Sequence, residues 1–235
     1  MTHSPMTPTT PFLLTNDDGI DAPGLATLAE ILGSRPWIQV APQTEQSGCG
    51  HRVTVGQALA VEPRSAQAYG VAGTPADCVR LALSHLCPSV AWVLSGINAG
   101  GNLGIDTYLS GTVAAAREAT FHGLPAIALS QYRKGSQPLI WANTGQWAAK
   151  ALAVLLQEPL PPKTFWNVNL PHWQPGEPEP QLVFCQPSSD PLPLVYAATP
   201  QGYVYGGRYG DRLQSPHTDV AVCFGGNIAI TQITL

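Results

Sequence analysis

Charge is what this chain has least of. Asp, Glu, Lys and Arg make up 11% of its 235 residues, against about 25% in ordinary globular proteins. Lysine is confined to Lys134, Lys150 and Lys163. A chain that is 44% apolar with a net charge of −4 is not a solvated, disordered polymer, which needs low hydrophobicity and high net charge. It also lacks the basic face of an electrostatic nucleic-acid binder, so no nucleic-acid polymer is expected as a partner. No apolar run approaches the ~18–20 residues of a membrane helix, and no membrane association is expected. Residues 1–10 carry neither a basic region nor an apolar stretch, and read as a disordered tail rather than a signal peptide. The five cysteines, Cys49, Cys78, Cys87, Cys185 and Cys223, have no C-x-x-C spacing and fit neither a disulfide framework nor a zinc site. They read as small apolar residues in a reducing, cytoplasmic compartment. Two catalytic signatures are missing as well. There is no G-x-S-x-G elbow of a serine hydrolase, and no lysine follows the glycines as a Walker loop requires.

What is plentiful is punctuation, with 23 glycines and 23 prolines. Between these breaks, short apolar runs alternate with helical periods. Phe12–Thr15 reads as a strand, followed by a helix with Leu25, Leu28, Ala29 and Leu32 at a 3.6-residue period, stopped at Gly33. Trp37–Ala41 is the second strand. Thr74-Pro75-Ala76-Asp77 starts a helix: threonine caps, proline suits the first helical position and the acid suits the first turn. Val90–Leu94 is a third strand, Pro125–Ser130 a fourth and Phe165–Leu170 a fifth. Helices are expected from Val113 to Ala119 and from Thr144 to Gln157. Strands alternating with helices predict an α/β fold with a mostly parallel sheet and helices on both faces. From Pro171 onward no helical period survives. Tyr203–Tyr205, Val220–Phe224 and Ile228–Thr234 read as strands, the last two joined by Gly225-Gly226-Asn227 as a hairpin. The expected organisation is therefore a core over 11–170 and an antiparallel β extension over 171–235 on the same domain.

Ligands of a parallel sheet bind beyond the carboxyl ends of its strands, and the polar clusters lie at those ends. Asn16-Asp17-Asp18-Gly19 follows strand one, Gln46-Ser47-Gly48 follows strand two, and Asn98 follows strand three. Each alone reads as a turn. Together they bring two carboxylates, a hydroxyl and an amide to one edge, a set of oxygen donors suited to a hard divalent ion such as Mg²⁺ or Mn²⁺. Downstream, Gly100-Gly101-Asn102 leads through Ser110-Gly111-Thr112 into a helix whose free N–H groups suit a phosphate. His51 reads as loop surface. Trp92, Trp141, Trp147 and Trp166 read as core, and Tyr203, Tyr205 and Tyr209 as packing residues.

These strings resemble the SurE family of survival-protein acid phosphatases and nucleotidases. The matching segments are Leu13-Leu14-Thr15-Asn16-Asp17-Asp18-Gly19, Ala22-Pro23-Gly24, Ala41-Pro42 with Ser47-Gly48, Gly73 to Val79, Ser95 to Gly100, and Ser110 to Ala116. The resemblance runs in order from about Leu13 to Ser130 and thins in the last third, where Thr218-Asp219 and the final strand match. It implies a Rossmann-like core and a metal-dependent phosphomonoesterase, a 5′-nucleotidase acting on nucleoside 5′- and also 3′-monophosphates. One divalent ion per subunit, Mg²⁺ or Mn²⁺, falls on Asp17, Asp18, Ser47 and Asn98. The phosphate falls on Asn102, Ser110, Gly111 and Thr112. Asp17, with Asp18 beside it, is expected to orient or deprotonate the attacking water. A homo-oligomer, dimer or tetramer, is expected. The segment Thr107-Tyr108-Leu109 departs from the family's usual wording, and, with Leu235 on the final strand, the helical element that crosses a dimer in relatives is not expected here.

Two rivals frame the test. One is a nucleotide-binding or regulatory protein without turnover. The other is a haloacid-dehalogenase-like phosphatase, which needs an Asp two residues after its nucleophilic Asp. Gly19 and Ile20 stand at those positions, so this reading is set aside.

Overall fold

A computed structural model describes residues 10–235. The tail expected over residues 1–10 lies, apart from Thr10, outside the described residues. Eleven strands are formed: β1 (Phe12–Thr15), β2 (Trp37–Pro42), β3 (Val61–Ser65), β4 (Ala68–Val71), β5 (Val93–Asn98), β6 (Ala126–Gln131), β7 (Thr164–Leu170), β8 (Leu182–Phe184), β9 (Tyr196–Thr199), β10 (Gly202–Tyr205) and β11 (Ile228–Thr234). The α-helices are α1 (Pro23–Ile31), α2 (Pro75–Leu81), α3 (Gly111–Phe121), α4 (Trp141–Leu155) and α5 (Asp219–Phe224).

Nine strands form one sheet in the order β3-β4-β2-β1-β5-β6-β7-β11-β8. The six from β4 to β7 are mutually parallel, so their carboxyl ends share one edge. β3 pairs antiparallel at one border, and β11 runs antiparallel to β7 at the other. Side chains of a strand alternate between faces, and the two faces are covered separately. Leu14, Leu94, Ile127 and Val168 pack with Leu25, Leu28, Trp147 and Leu152 of α1 and α4. Leu13, Val93, Ala128 and Phe165 pack with Val79 of α2 and with Val113 and Ala116 of α3. This is the α/β architecture expected, with a mostly parallel sheet between two helical layers.

The start of α2 follows its sequence signal closely. Thr74 Oγ1 accepts from Asp77 N (3.2 Å), and the Asp77 carboxylate accepts from Thr74 N (2.9 Å). That reciprocal arrangement is a capping box.

The C-terminal third differs in its details. Val220–Phe224, expected as a strand, instead lies within α5 (Asp219–Phe224). Thr218 caps it, accepting from Ala221 N, and Asp219 stands in its first turn. A short apolar run such as Val220–Phe224 has no period that distinguishes strand from helix. The expected Val220–Thr234 hairpin is therefore absent, and its second strand, β11, joins the main sheet instead. The antiparallel hairpin that does form is β9–β10, a separate two-stranded sheet. β3 and β4 were not expected from the sequence, and β5 begins at Val93 rather than Val90, running on through Asn98.

Candidate active site

The site begins in the turn after β1. Asn16 Nδ2 donates to Gly19 O (2.8 Å), and Gly19 N donates back to Asn16 Oδ1 (3.2 Å). Gly19 takes φ +108, a conformation that glycine adopts without penalty. This closed turn buries Asp17 and leaves Asp18 partly exposed.

Three other segments dock on Asp17 and Asp18, one through a backbone carbonyl and two through the carboxylates. Asp17 O accepts from Gln46 N (2.7 Å), joining the loop after β2. Asp18 Oδ2 accepts from Ala99 N (3.1 Å), joining the loop after β5. Thr112 Oγ1 donates to Asp17 Oδ1, joining α3. The approach of α3 is close enough to require glycine at its first residue. A β-carbon on Gly111 would lie 2.9 Å from Asp17 Cβ, 3.0 Å from Asp17 Oδ2 and 2.9 Å from Cys49 Sγ.

Ser47 and Asn98 stand at the same edge. Asn98 is the last residue of β5, and its Nδ2 donates to Gly100 O (2.8 Å), which leaves the amide oxygen outside that bond. Ser47 is exposed, and its Oγ donates to Glu45 Oε1 (2.6 Å). Glu45 is a carboxylate that sequence reasoning passed over. Its negative charge, two residues before Ser47, also acts on Asp18.

The electrostatics call for a cation. Burial pushes the Asp17 carboxyl up to about 6; the Thr112 hydrogen bond opposes this and the charge of Asp18 adds to it. Burial also raises Asp18, opposed by the Ala99 N–H and assisted by Glu45. Among the described residues no cationic side chain balances either group. The described residues contain no cluster of three His, Cys, Asp or Glu. Two carboxylates with a hydroxyl and an amide oxygen instead suit a hard ion that keeps several waters. The donor set therefore fits Mg²⁺ or Mn²⁺.

The expected phosphate residues divide into two groups. Ser110 is the N-cap of α3, its Oγ accepting from Val113 N (3.1 Å), so its own hydroxyl proton remains to be donated. Gly111 and Thr112 follow in the first helical turn, whose N–H groups have no partner within the helix, and the Thr112 N–H acts on the Asp17 carboxylate. Asn102 is turned the other way. Its Nδ2 donates to Ser130 Oγ (2.8 Å), its N to Asn169 Oδ1 (2.7 Å), and its O accepts from Asn167 and Asn169 (3.0 Å each). It pins the glycine-rich loop to β6 and β7.

The same loop is held from the C-terminal third, by Asp219, which the Thr218-Asp219 match marks, and by Tyr209 and Arg212, which no motif marks. Gly104 N donates to the buried Asp219 Oδ2 (2.7 Å). Asp106 accepts from Tyr209 Oη (2.9 Å) and pairs with Arg212, whose guanidinium lies 4.0 Å from the Tyr209 ring centre. Tyr209 is thus a packing residue, stacked on Tyr132. Tyr203 and Tyr205, expected to pack, are exposed on β10. Trp92, Trp147 and Trp166 are core, as expected, and Trp141 is partly buried against it.

Comparison with known proteins identifies the family. Residues 12–189 match the family model described as survival protein SurE. A putative 5′-nucleotidase of Synechocystis sp. is 55% identical over 222 residues, covering 94% of this chain and 98% of the relative. The 5′-nucleotidase SurE of Paramagnetospirillum magneticum is 37% identical over 230 residues, covering 94% and 88%. The crystal structure of the SurE protein from Aquifex aeolicus superposes with a TM-score of 0.84 at 30% identity, covering 95% of this chain and 92% of that one. The chain belongs to the SurE family.

Proposed function

We propose that this protein is a 5′-nucleotidase, a metal-dependent phosphomonoesterase that hydrolyses nucleoside monophosphates to nucleoside and phosphate. The observation that carries the reading is the meeting of Asp17 with the first residue of α3, closer than any side chain on Gly111 would allow. A carboxylate is itself favoured at a helix N-terminus, and the same end suits a phosphate, so this contact sets the carboxylates that would hold the ion beside the end of α3 that would hold the substrate.

Asp17, Asp18, Ser47 and Asn98 would hold one divalent ion, Mg²⁺ or Mn²⁺, per subunit. When bound, such an ion polarises the phosphoryl oxygens and acidifies water. The chain's own residues do the rest. Thr112 Oγ1 fixes Asp17 Oδ1, and Asp17 orients the attacking water and accepts its proton. The N–H group of Gly111 and the hydroxyl of Ser110 point positive charge at the phosphate's equatorial oxygens, where charge accumulates in transfer, while the Thr112 N–H and hydroxyl hold Asp17. Asn102 supports this loop from behind. The segment 171–235 packs on the core at 11–170 through Asp219 and Arg212, and holds the loop from the other side.

The protein is proposed to act as a homo-oligomer through β9–β10, a hairpin exposed along its whole length. No helix among the described residues is long and apolar enough to cross a membrane. Five free cysteines support a reducing, cytoplasmic setting.

The test is phosphate release from a panel of nucleoside 5′- and 3′-monophosphates by metal-stripped protein, with and without Mn²⁺ or Mg²⁺, beside Asp17→Asn. Metal-dependent release that vanishes in the variant is the expected result. Nucleotide binding without release, from folded wild-type protein, would establish the non-catalytic reading instead.

A further inference from the structure

Glu118 lies two turns down α3 from the site, with its side chain 5% exposed and three cationic or protonatable groups around it. His51 Nε2 is 2.7 Å from Oε2, while His122 Nε2 and Arg80 lie 3.0 Å and 3.4 Å from Oε1. Burial alone would raise this carboxyl. The hydrogen bonds of His51 and His122, with the charges of His51 and Arg80, outweigh burial and hold it below its ordinary range. His122 and Arg80 come from helices and are half-exposed. His51 alone comes from the loop after β2, the loop that carries Ser47.

That loop meets α3 at two points. Cys49 Sγ packs at Gly111, and His51 bonds Glu118 across 67 residues of sequence. Seven helical residues separate the two helix positions, about 10 Å at 1.5 Å per residue. Gly50, between the two contacts, takes φ +57, so the chain turns there, and the His51 and Glu118 side chains complete the span. The loop is therefore laid along α3 with both ends of the contact fixed, and the His51 ring also rests on Phe121, 5.6 Å between centres. Nothing else among the described residues ties the stretch from Ser47 to His51 to the lower part of α3; Gln46 is bonded to Asp17, and Arg52 O accepts from Thr74 Oγ1.

We infer that His51 is a positioning residue: its hydrogen bond to Glu118 sets the Gln46–Arg52 loop on α3 and so places Ser47 beside Asp17 and Asp18. The inference rests on the reading of Ser47 as a metal ligand. Residues that support ligands in this way typically change metal affinity by about 10–100-fold when replaced.

Two variants that differ by one methylene test it. The Gln amide nitrogen occupies the place of His Nε2, the atom that meets Glu118, whereas the Asn amide falls at the place of Nδ1 and cannot reach. Full-length, metal-stripped protein is titrated with Mn²⁺, free ion being read by electron paramagnetic resonance, and kcat and KM are measured at saturating Mn²⁺. His51→Asn is expected to weaken Mn²⁺ binding about 10-fold or more, with kcat at saturating Mn²⁺ within about 3-fold of wild type and an unchanged urea midpoint. His51→Gln is expected to restore binding to within about 3-fold. Mn²⁺ affinity unchanged in His51→Asn overturns the inference, as does equal loss in both variants, which would assign the role to the ring rather than to the hydrogen bond. Wild-type protein that binds no Mn²⁺ overturns the metal reading itself, a separate outcome visible before any variant is made.

Discussion

Thr112 Oγ1 donates a hydrogen bond to Asp17 Oδ1, joining the second residue of α3 to the turn after β1 across 95 residues of sequence. Both residues are buried, so each depends on the other for satisfaction. Thr112→Val keeps the shape and removes the donor. A buried polar group deprived of its partner costs about 1–3 kcal/mol, more when charged. The expected outcome is a stability loss of about 2 kcal/mol in urea unfolding and a fall in kcat of about 10–100-fold, the order by which groups that support a site are felt. Thr112→Ser should recover most of both. Full activity in Thr112→Val would remove the hydrogen bond from the mechanism.

Asp17 itself opposes the stability of the protein that carries it. Its carboxyl is raised to about 6 by burial, so at pH 7 it is ionised in an environment that disfavours the charge. A tenfold change in an ionisation equilibrium corresponds to about 1.4 kcal/mol. Asp17→Asn retains an acceptor for Thr112 and removes the charge. In metal-stripped protein at neutral pH the variant is expected to be more stable than wild type by about 1–3 kcal/mol, while phosphate release is abolished. Mn²⁺ should raise the melting temperature of wild type, through preferential binding to the folded state, and leave that of the variant unchanged. Differential scanning calorimetry of the two proteins with and without the ion reads all of this.

How much of this was visible in the sequence depends on where the signal resides. The Thr74-Pro75-Ala76-Asp77 start of α2 is local chemistry, written in four consecutive residues, and the structure closes it as expected. Strand ends are nearly as legible, because Asp17, Ser47 and Asn98 each follow an apolar run and the parallel order does the rest. β3 was not legible: Val61–Ser65 is wholly exposed and contains Pro63, which an edge strand tolerates but no apolar pattern announces. α5 was misread because Val220–Phe224 is apolar throughout. Glu118 could not be read at all. It is one acid in an alanine-rich helix, and its partner His51 is brought to it only by the packing of a loop on α3.

Gly111 is expected to tolerate no side chain. Gly111→Ala would place its β-carbon 2.9 Å from Asp17 Cβ and 2.9 Å from Cys49 Sγ. Alanine is otherwise the better helix former by about 1 kcal/mol, so intrinsic propensity and packing oppose each other here. Packing should win, since Asp17 Cβ is fixed directly to the backbone of a buried turn and cannot swing aside as Cys49 Sγ can. The variant is expected to fold and to lose about 100-fold or more in kcat, a misplacement of about 1 Å at a reacting centre being sufficient. Near-wild-type turnover would show that α3 and the Asp17 turn can separate without consequence.

Asp77 supplies the pH dependence. Burial would raise its carboxyl, but the N–H groups of Thr54 (2.8 Å) and Thr74 (2.9 Å) and the Thr54 hydroxyl (2.7 Å) outweigh that and lower it. A carboxyl depressed in the folded state stabilises at pH above its unfolded value of about 3.9 and loses that contribution as pH falls through the folded value. Asp77→Asn is expected to cost about 1–2 kcal/mol at pH 7, the scale of a lost cap. The difference from wild type should shrink as the pH is lowered below about 4, where the wild-type carboxylate also takes up its proton. Urea midpoints of both proteins at several pH values give the comparison, and a constant difference at all pH values would contradict the assignment.

The β9–β10 hairpin makes the last prediction, because it is not stable by the rules that hold the rest of the chain together. A lone two-stranded hairpin is marginal in water, and this one pairs with no other strand. It nevertheless presents Tyr203 at 79% exposure and Val204 at 56%, with Leu194 at 90% just before it. Apolar side chains grouped in this way mark interaction surfaces, and the proposed occupant is a second copy of the chain. Replacing Tyr203 and Val204 together by serine leaves the turn and the backbone pairing intact and removes the apolar contact. Light scattering coupled to size exclusion should show wild type as an oligomer and the double variant as a smaller species. Because the hairpin lies apart from Asp17 and α3, metal affinity should be unchanged in the smaller species. A wild-type protein that is monomeric at micromolar concentration would end the proposal that this hairpin joins subunits.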